Sequence, residues 1–222
     1  MVEAVFLDFY ETIVHEDGEV IKKISQEILE TGRAKSTSEI DAFWWKEFQG
    51  SFMAAFGETF ERQRILEYQS LAKTISRFGS SADARALSEL MFAHWRKPPI
   101  FPESKQFFEE CPVPIYIVSN IDREDIAAAI SFHRFTPAGV YTSEDAKSYK
   151  PRKELFELAL RESGLEPDQV LHIGDSLSSD VKGGSDVGIR VIWVNRGNKP
   201  IPEGVISVRN LLEVLGTESF KL

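Results

Sequence analysis

The sequence has very little cysteine, because Cys111 is the single one among 222 residues. One thiol cannot form an internal disulfide, so we expect a reducing compartment and predict the cytoplasm. Long hydrophobic runs are also missing, since no stretch of the sequence approaches the roughly 18 apolar residues that a membrane span needs. The first residues lack the basic segment and the small-residue cleavage site of a secretory signal. These absences argue against an exported or membrane-spanning protein.

Basic residues are fewer than acidic ones: 26 Lys and Arg compared with 35 Asp and Glu, which gives a formal net charge of −9. Broad nucleic-acid surfaces and anionic membranes both reward clustered cations. We therefore expect neither a nucleic acid nor a membrane as a partner, and we expect a monomer or a homodimer. A small anionic substrate stays compatible with the sequence if a metal ion and local cations reverse the sign of the charge at its site.

From about residue 100 onward, short apolar runs alternate with helical patterns, and a further apolar run lies near the first residues. The strand candidates are residues 5–8, 114–118, 140–142, 170–173, 191–194 and 205–208. Between them, residues 123–132, 153–163 and 180–187 have helical spacing. This alternation is typical of a parallel sheet whose strands are joined by helical crossovers. The sequence therefore predicts an α/β fold.

Residues 17–97 follow a different pattern, without convincing strands. Ser36 followed by Glu39 fits a capping box that opens a helix. The aromatic side chains of that helix are expected to form the core of the insert: Phe43, Trp44, Trp45, Phe48 and Phe52. Turn-forming residues at Glu16–Gly18 and Lys97–Pro99 look like the two connections. The predicted domains are a core of residues 1–16 and 98–222 and a helical insert of residues 17–97.

Polar residues follow three of the predicted strands. Asp8, Ser119 and Asp175 each come at or just after the end of an apolar run. Ligands of an open parallel sheet bind beyond the carboxyl ends of its strands, so we expect these side chains to converge at one edge. Two carboxylates that meet there repel each other unless a cation lies between them. We predict that Asp8 is a nucleophile and that Asp8 and Asp175 bind Mg²⁺, which prefers oxygen ligands.

Further residues complete the predicted site. The hydroxyl of Ser119 can donate to a phosphoryl oxygen, and Asn120 opens the segment whose backbone N–H groups can help to bind substrate. Lys150 can place an ammonium beside the nucleophile, and Asp180 can orient Lys150 or a metal-bound water. His172 is expected to be a core histidine. Each residue alone has an ordinary explanation as a cap, a turn residue or a surface lysine, so the prediction depends on their order and context.

Read together, the segments Asp8–Thr12, Ser119–Asn120, Lys150–Pro151 and Gly174–Asp180 resemble the four motifs of the haloacid dehalogenase-like hydrolases. The fourth motif continues through Val181, Gly183, Gly188 and residues 191–195. The resemblance implies a Rossmann-like parallel sheet core with a helical cap inserted just after the first motif, which agrees with the insert of residues 17–97. It also implies a nucleophile at the first aspartate, phosphate-stabilising groups at the serine and the lysine, and an Mg²⁺ ligand at Asp175.

Tyr10 departs from the pattern of this family's phosphatases, which usually carry a second aspartate there as general acid and base. That position gives the metal its backbone carbonyl, which any residue can supply, so the resemblance still implies the carbonyl of Tyr10 as a metal ligand. Loss of general acid–base help typically costs about 10² to 10⁴ in rate, so we expect slow turnover of esters with poor leaving groups. The phenol can still donate a hydrogen bond, and Tyr10 is a candidate for orienting the attacking water.

Two alternatives stay open. The 2-haloacid dehalogenases of this family have a tyrosine at the place of Tyr10, and Arg62 lies in a segment somewhat similar to the one from which they direct an arginine at the halide. They lack the acid that corresponds to Asp175, so the sequence favours a Mg²⁺-dependent phosphatase that acts on a small phosphorylated substrate through an aspartyl-phosphate. The second alternative is a phospholigand-binding protein with little turnover. The joint presence of Asp8, Lys150 and Asp175 argues against it.

Overall fold

The strands of the computed structural model, which describes residues 2–15, 18–218 and 220, all belong to one parallel sheet. In chain order they are β1 (Ala4–Leu7), β2 (Ile115–Ser119), β3 (Gly139–Thr142), β4 (Val170–Gly174), β5 (Arg190–Val194) and β6 (Ile206–Val208). Their order in the sheet is β3-β2-β1-β4-β5-β6, with every pair parallel. The predicted α/β class is confirmed, and each predicted strand overlaps an observed one.

The central strands are continuous apolar runs because both faces of the sheet are covered. Every residue of β1 and β4 is buried, whereas the edge strand β3 is largely half-buried and the edge strand β6 runs from the exposed Ile206 to the buried Val208. The strand order reverses between β1 and β4, the place where ligands bind in open parallel sheets. Leu7 of β1 pairs with Ile117 of β2 on one side and with Ile173 of β4 on the other. The residues that follow these three strands therefore lie side by side.

Helices follow the strands and also fill the interval between β1 and β2. They are α1 (Gly18–Thr31), α2 (Thr37–Ala54), α3 (Gln63–Arg77), α4 (Ala84–Arg96), α5 (Ser104–Glu110), α6 (Arg123–His133), α7 (Ser143–Ala146), α8 (Lys153–Ser163), α9 (Lys182–Asp186) and α10 (Leu211–Leu215). Within the described part of the chain, α1 to α5 separate β1 from β2, which confirms a helical insertion after the first strand. Among the described residues, none of the helices combines the length and the apolar character that crossing a bilayer requires.

Helix α8 shows why these helices form and where they pack. Its apolar residues recur at helical spacing, and Leu155, Phe156 and Ala159 are buried in one cluster with Phe6 of β1 and Val118 of β2. The helix ends at Gly164, whose φ of 71° lies in the left-handed region that glycine adopts without strain. Packing of this kind holds the carboxyl ends of the strands in a fixed register.

The chain divides into two compact units. One contains Met1–Glu16, Pro99–Asn120 and His133–Leu222, and it holds the whole sheet. The other contains Asp17–Pro98 together with Ile121–Phe132. Of the first predicted connection, Glu16 and Asp17 lie outside the described residues.

Helix α2 of the second unit differs from the prediction in two details. Its N-cap is Ser36, whose hydroxyl accepts from the backbone N–H of Glu39, but the carboxylate of Glu39 accepts from the N–H of Lys35 and not from that of Ser36. Of the aromatics expected to form a core, Trp44 is buried while Trp45 is 61% exposed. Successive helical residues point in directions about 100° apart, so the two tryptophans cannot share one buried face.

Candidate active site

Asp8 lies at the centre of the sheet's carboxyl edge, because β1 is flanked by β2 and β4. Ser119 ends β2, Asp175 follows β4 directly, and both therefore belong to the same edge as Asp8. Asp8 is 7% exposed and Ser119 is 2% exposed, whereas Asp175 is half-buried. The backbone N–H of Asp8 donates to the carbonyl of Ile173 over 2.9 Å, which continues the ladder between β1 and β4 past the last strand residue.

Lys150 reaches this edge from the segment before α8 and is 2% exposed. Its ammonium donates to Asp8 Oδ1 over 2.7 Å, to Asp180 Oδ1 over 2.6 Å and to the carbonyl of Val118 over 2.9 Å. These contacts use all three of its N–H groups. The side chain of Asn120 accepts from the backbone N–H of Lys150 over 2.7 Å and donates to its carbonyl over 3.1 Å. The predicted residues Asp8, Asn120, Lys150 and Asp180 are thus brought together.

Asp180 is held above the sheet by one turn of π-helix, Leu177–Val181, a form that is frequent at functional sites. Its Oδ2 accepts from the backbone N–H of Ser176 over 3.0 Å, and its Oδ1 lies 2.9 Å from Nε2 of His172. The approach requires glycine at position 174, because a Cβ there would overlap the carboxylate of Asp180. Three donors therefore fix the orientation of this carboxylate: Lys150, His172 and the Ser176 backbone.

Burial and charge oppose each other in this cluster. Burial raises the pKa of Asp8, and the ammonium of Lys150 opposes the rise without cancelling it. Burial also works to raise the pKa of Asp180, but Lys150 and His172 outweigh it, so that pKa is lowered. Burial works to lower the pKa of Lys150, yet Asp180 and Asp8 outweigh it and raise that pKa. Asp180 is therefore the ionised partner of the Lys150 ammonium. The negative charge of Asp8 needs a further cation to stabilise it.

Three carboxylates of the site could hold a metal ion. Asp8, Asp175 and Asp180 each offer an oxygen, and these oxygens lie within 4.8 Å of one another. A donor set made only of oxygen suits a hard cation such as Mg²⁺. The hydrogen bonds that Asp180 already accepts favour the predicted role of orienting Lys150 over direct ligation. Tyr10 is half-buried, and its ring packs edge-on against Phe9 with the ring centroids 5.2 Å apart.

The chain matches the family model for haloacid dehalogenase-like hydrolases over residues 2–188. That is well over half of its length. The chain belongs to this family.

Relatives of this hydrolase include phosphatases. Phosphoserine phosphatase of Thermus thermophilus is 31% identical over 129 residues, which cover 55% of this chain and 51% of that protein. Pyrimidine 5'-nucleotidase YjjG of Escherichia coli is 38% identical over 65 residues, which cover 28% of each protein. The match thus spans about half of the first relative and a smaller part of the second.

Solved structures share the fold over almost the whole chain. HAD-hydrolase YfnB of Bacillus subtilis, solved with bound magnesium, has a TM-score of 0.77 at 20% identity and covers 100% of this chain and 99% of that one. The L-2-haloacid dehalogenase of Xanthobacter autotrophicus has a TM-score of 0.75 at 20% identity, covering 97% and 98%. At these identities the likeness shows the fold alone.

Four further residues of this hydrolase touch the predicted site without having been assigned a role from the sequence. Thr12 donates its hydroxyl to Asp8 Oδ2 over 3.1 Å, and His172, although buried as expected, contacts Asp180. The indole N–H of Trp193 donates to the carbonyl of Asp175 over 2.6 Å. Arg196 binds the backbone of the loop after β1. The sequence carried a signal for two of these residues. His172 lies within an apolar strand, and the N–H of a tryptophan such as Trp193 needs a partner when it is buried.

A small cavity of about 50 Å³ opens beside Asp175. Its lining includes Glu11, Trp193, Arg196 and Lys199, so it is bounded by the loops after β1 and β5. Asp175 therefore lies at the edge of a polar space and is half-buried, whereas Asp180 is fully enclosed.

Proposed function

We propose that this hydrolase is a Mg²⁺-dependent phosphatase of small phosphorylated molecules that works through an aspartyl-phosphate on Asp8. The observation that carries the proposal is the 2.7 Å contact between Asp8 Oδ1 and the buried ammonium of Lys150, within a group of three carboxylates. Such a pocket repels anions unless a divalent cation enters it. Two relatives named for small phosphate esters, a phosphoserine phosphatase and a pyrimidine 5'-nucleotidase, support the same substrate class.

The residues of the site divide the proposed chemistry among them. Bound by Asp8, Asp175 and the backbone carbonyl of Tyr10, Mg²⁺ would supply the positive charge that lets an anionic phosphate approach an anionic nucleophile. A carboxylate oxygen of Asp8 forms a bond to phosphorus while the bond from phosphorus to the leaving oxygen breaks. Lys150 and the hydroxyl of Ser119 stabilise the transferring phosphoryl group. Water then attacks phosphorus, which releases inorganic phosphate and restores the carboxylate.

Asn120 supports this arrangement through its paired hydrogen bonds to the backbone of Lys150, and we propose that its segment helps to bind the phosphate. Asp180 orients Lys150. Tyr10 orients the attacking water but cannot act as an efficient acid for the leaving group, since a phenol has a pKa near about 10. The expected substrates are therefore phosphates with good leaving groups. We propose residues 1–16 and 98–222 as the catalytic core and residues 17–97 as the cap.

The decisive experiment compares three compounds with Mg²⁺ and with a chelator: acetyl phosphate, p-nitrophenyl phosphate and 2-chloropropionate. The expected result is phosphate release that requires Mg²⁺ and that Asp8→Asn abolishes, because an amide is not a nucleophile of this kind. Asp186→Asn is the matched control, since Asp186 is a surface acid paired with Lys182. It should retain the activity of the wild type.

The same assay tests the alternatives. Chloride release that a chelator leaves unchanged would establish the dehalogenase, the alternative that Tyr10 favours, because halide leaves without a proton and without a metal. Binding of inorganic phosphate without turnover of any of the three compounds would establish a phospholigand-binding protein. Either result would refute the proposed phosphatase.

A further inference from the structure

We infer that Arg196 is a positioning residue that fixes the loop after β1 and, through Thr12, the nucleophilic carboxylate of Asp8. The inference rests on the proposed function for the role of Asp8. It adds Arg196, which binds the backbone of the loop after β1 and acts on Asp8 through that loop.

The guanidinium of Arg196, two residues past the end of β5, is held on every side. Its Nη2 donates to the carbonyl of Thr12 over 2.7 Å, and its Nε donates to the carbonyl of Glu11 over 3.2 Å. On the remaining edge, Nη1 donates to Glu103 Oε1 over 2.7 Å. Its plane lies over the ring of Phe101, with Cζ 3.5 Å from the ring centroid. The side chain is 17% exposed, so these contacts form a largely buried anchor.

The loop that Arg196 grips needs such an anchor. Glu11 has a φ of 58°, in the left-handed region that residues with a Cβ adopt rarely and keep only when their surroundings hold them. The N–H of Glu11 donates to the carbonyl of Val14 over 2.7 Å, and the carbonyl of Glu11 accepts from Arg196. Both backbone polar groups of Glu11 are therefore bonded. The peptide group that contains the N–H of Glu11 also contains the carbonyl of Tyr10, which is the proposed metal ligand.

Thr12 links the anchor to the nucleophile. Its carbonyl accepts from Arg196, while its hydroxyl donates to Asp8 Oδ2 over 3.1 Å. Asp8 Oδ1 is already held by Lys150, so Thr12 controls the second oxygen and with it the rotation of the carboxylate. A shift of the loop would therefore move both the nucleophile and the carbonyl of Tyr10.

Arginine suits this task better than lysine. The guanidinium presents N–H groups in a rigid plane, which lets one side chain reach two carbonyls and a carboxylate in fixed directions. A lysine ammonium is a point charge on a flexible stem and cannot reproduce that fork. The carboxylate of Glu103 neutralises the guanidinium of Arg196, so we do not expect Arg196 to bind the substrate phosphate. Loss of Arg196 is therefore expected to lower kcat more than it raises KM.

The test uses Arg196→Ala and Arg196→Lys in the full chain. With acetyl phosphate and Mg²⁺, Arg196→Ala should lower kcat roughly 10²-fold, because small misplacements of reacting groups have effects of that size. KM should change by less than about threefold. Guanidinium ion added to Arg196→Ala should restore part of kcat, whereas ammonium ion should not. In titration calorimetry, the affinity of both variants for Mg²⁺ alone should fall about 10-fold, as it does when groups that orient metal ligands are lost.

Arg190→Ala is the matched control, because Arg190 lies at the opposite end of the same strand β5. It should keep kcat and the Mg²⁺ affinity of the wild type. If Arg196→Ala does the same within about twofold, even with a lower melting temperature, Arg196 is only a structural residue and the inference is wrong.

A second pair of variants decides the matter if Arg196→Ala does not fold. Arg196→Lys keeps the charge but loses the fork, and Glu103→Gln loosens the anchor while keeping Arg196. Both should lower kcat with little change in KM, and wild-type values for both would overturn the inference. If the wild type itself releases no phosphate, the proposed function fails, and calorimetry with Mg²⁺ alone still decides the role of Arg196.

Discussion

Replacing Lys150 by methionine tests whether its ammonium supports the fold as well as the chemistry. The side chain is 2% exposed, and its N–H groups bind Asp8, Asp180 and the carbonyl of Val118. Methionine preserves most of the length and the apolar stem of lysine but carries no charge. The variant therefore leaves two buried carboxylates, Asp8 and Asp180, without their common cation.

The magnitude follows from the burial of this ion pair. Removing one partner of a buried pair costs about 3–5 kcal/mol, because the remaining charge stays in the interior without compensation. Here two carboxylates lose the same cation, so we expect the upper part of that range, about 4–5 kcal/mol. At about 2–4 °C per kcal/mol for a chain of this size, the melting temperature should fall by roughly 8–20 °C.

The loss should depend on pH in a defined direction. Burial raises the pKa of Asp8 in the wild type and Lys150 opposes the rise, so without Lys150 this pKa rises further. An acid whose pKa is higher in the folded than in the unfolded state destabilises the fold above its unfolded pKa, and the penalty shrinks as it takes up a proton. The difference in unfolding free energy between variant and wild type should therefore be smaller at about pH 5 than at about pH 7.5. The lowered pKa of Asp180 in the wild type keeps its contribution intact over this interval.

Urea unfolding at the two pH values is the measurement, with Lys153→Met as the control. Lys153 is exposed and pairs with Glu157 on the surface, so its replacement should hardly change the unfolding free energy at either pH. The double variant Lys150→Met with Asp8→Asn should recover part of the lost stability, because one of the two uncompensated charges is gone. A loss that is independent of pH, or no larger than that of Lys153→Met, would refute this account of the cluster.

Three other replacements probe single groups. Tyr10→Asp should raise kcat for alkyl phosphates more than for p-nitrophenyl phosphate, since an aspartate can protonate a poor leaving group; equal gains would contradict this. Gly174→Ala places a methyl group against the carboxylate of Asp180 and should cost about 1–3 kcal/mol in urea unfolding, so an unchanged midpoint would contradict the close approach. Trp193→Phe removes the donor to the carbonyl of Asp175 and should weaken Mg²⁺ binding about 10-fold in calorimetry, which unchanged affinity would refute.

The sheet could be predicted from the sequence because its strands are buried on both faces. Runs such as that of β4 are almost wholly apolar and short, and turn residues such as Gly164 and Pro167 separate them from the helices. The convergence of Asp8 and Asp175 followed from one rule, that parallel strands present their carboxyl ends at one edge. The order of the strands in the sheet could not be obtained in this way, because the apolar runs do not record which strands are neighbours.

The side chains that bind backbone carbonyls could not be predicted from the sequence, and the reason is physical. Every residue has a backbone carbonyl, so the sequence does not reveal which residue accepts a hydrogen bond from a given donor through its main chain. Arg196 and Thr12 are 184 positions apart, and the bond between them depends on the main chain of one partner alone. The contact between Trp193 and Asp175 likewise uses a backbone oxygen. Contacts between charged side chains, such as Lys150 with Asp8, could be anticipated because both partners are visible as residue types.

The charges of the site support the proposal that Asp8 is the nucleophile and that a metal ion binds beside it. Asp8, Asp175 and Asp180 bring three negative charges into a space that holds one ammonium, that of Lys150, which leaves two negative charges uncompensated. The lowered pKa of Asp180, caused by Lys150 and His172, favours its ionised form, whereas burial raises the pKa of Asp8 and favours its protonated form. A protonated Asp8 cannot attack phosphorus. A divalent cation bound there would offset the two remaining charges, and it would favour both the approach of an anionic phosphate and the ionised form of Asp8.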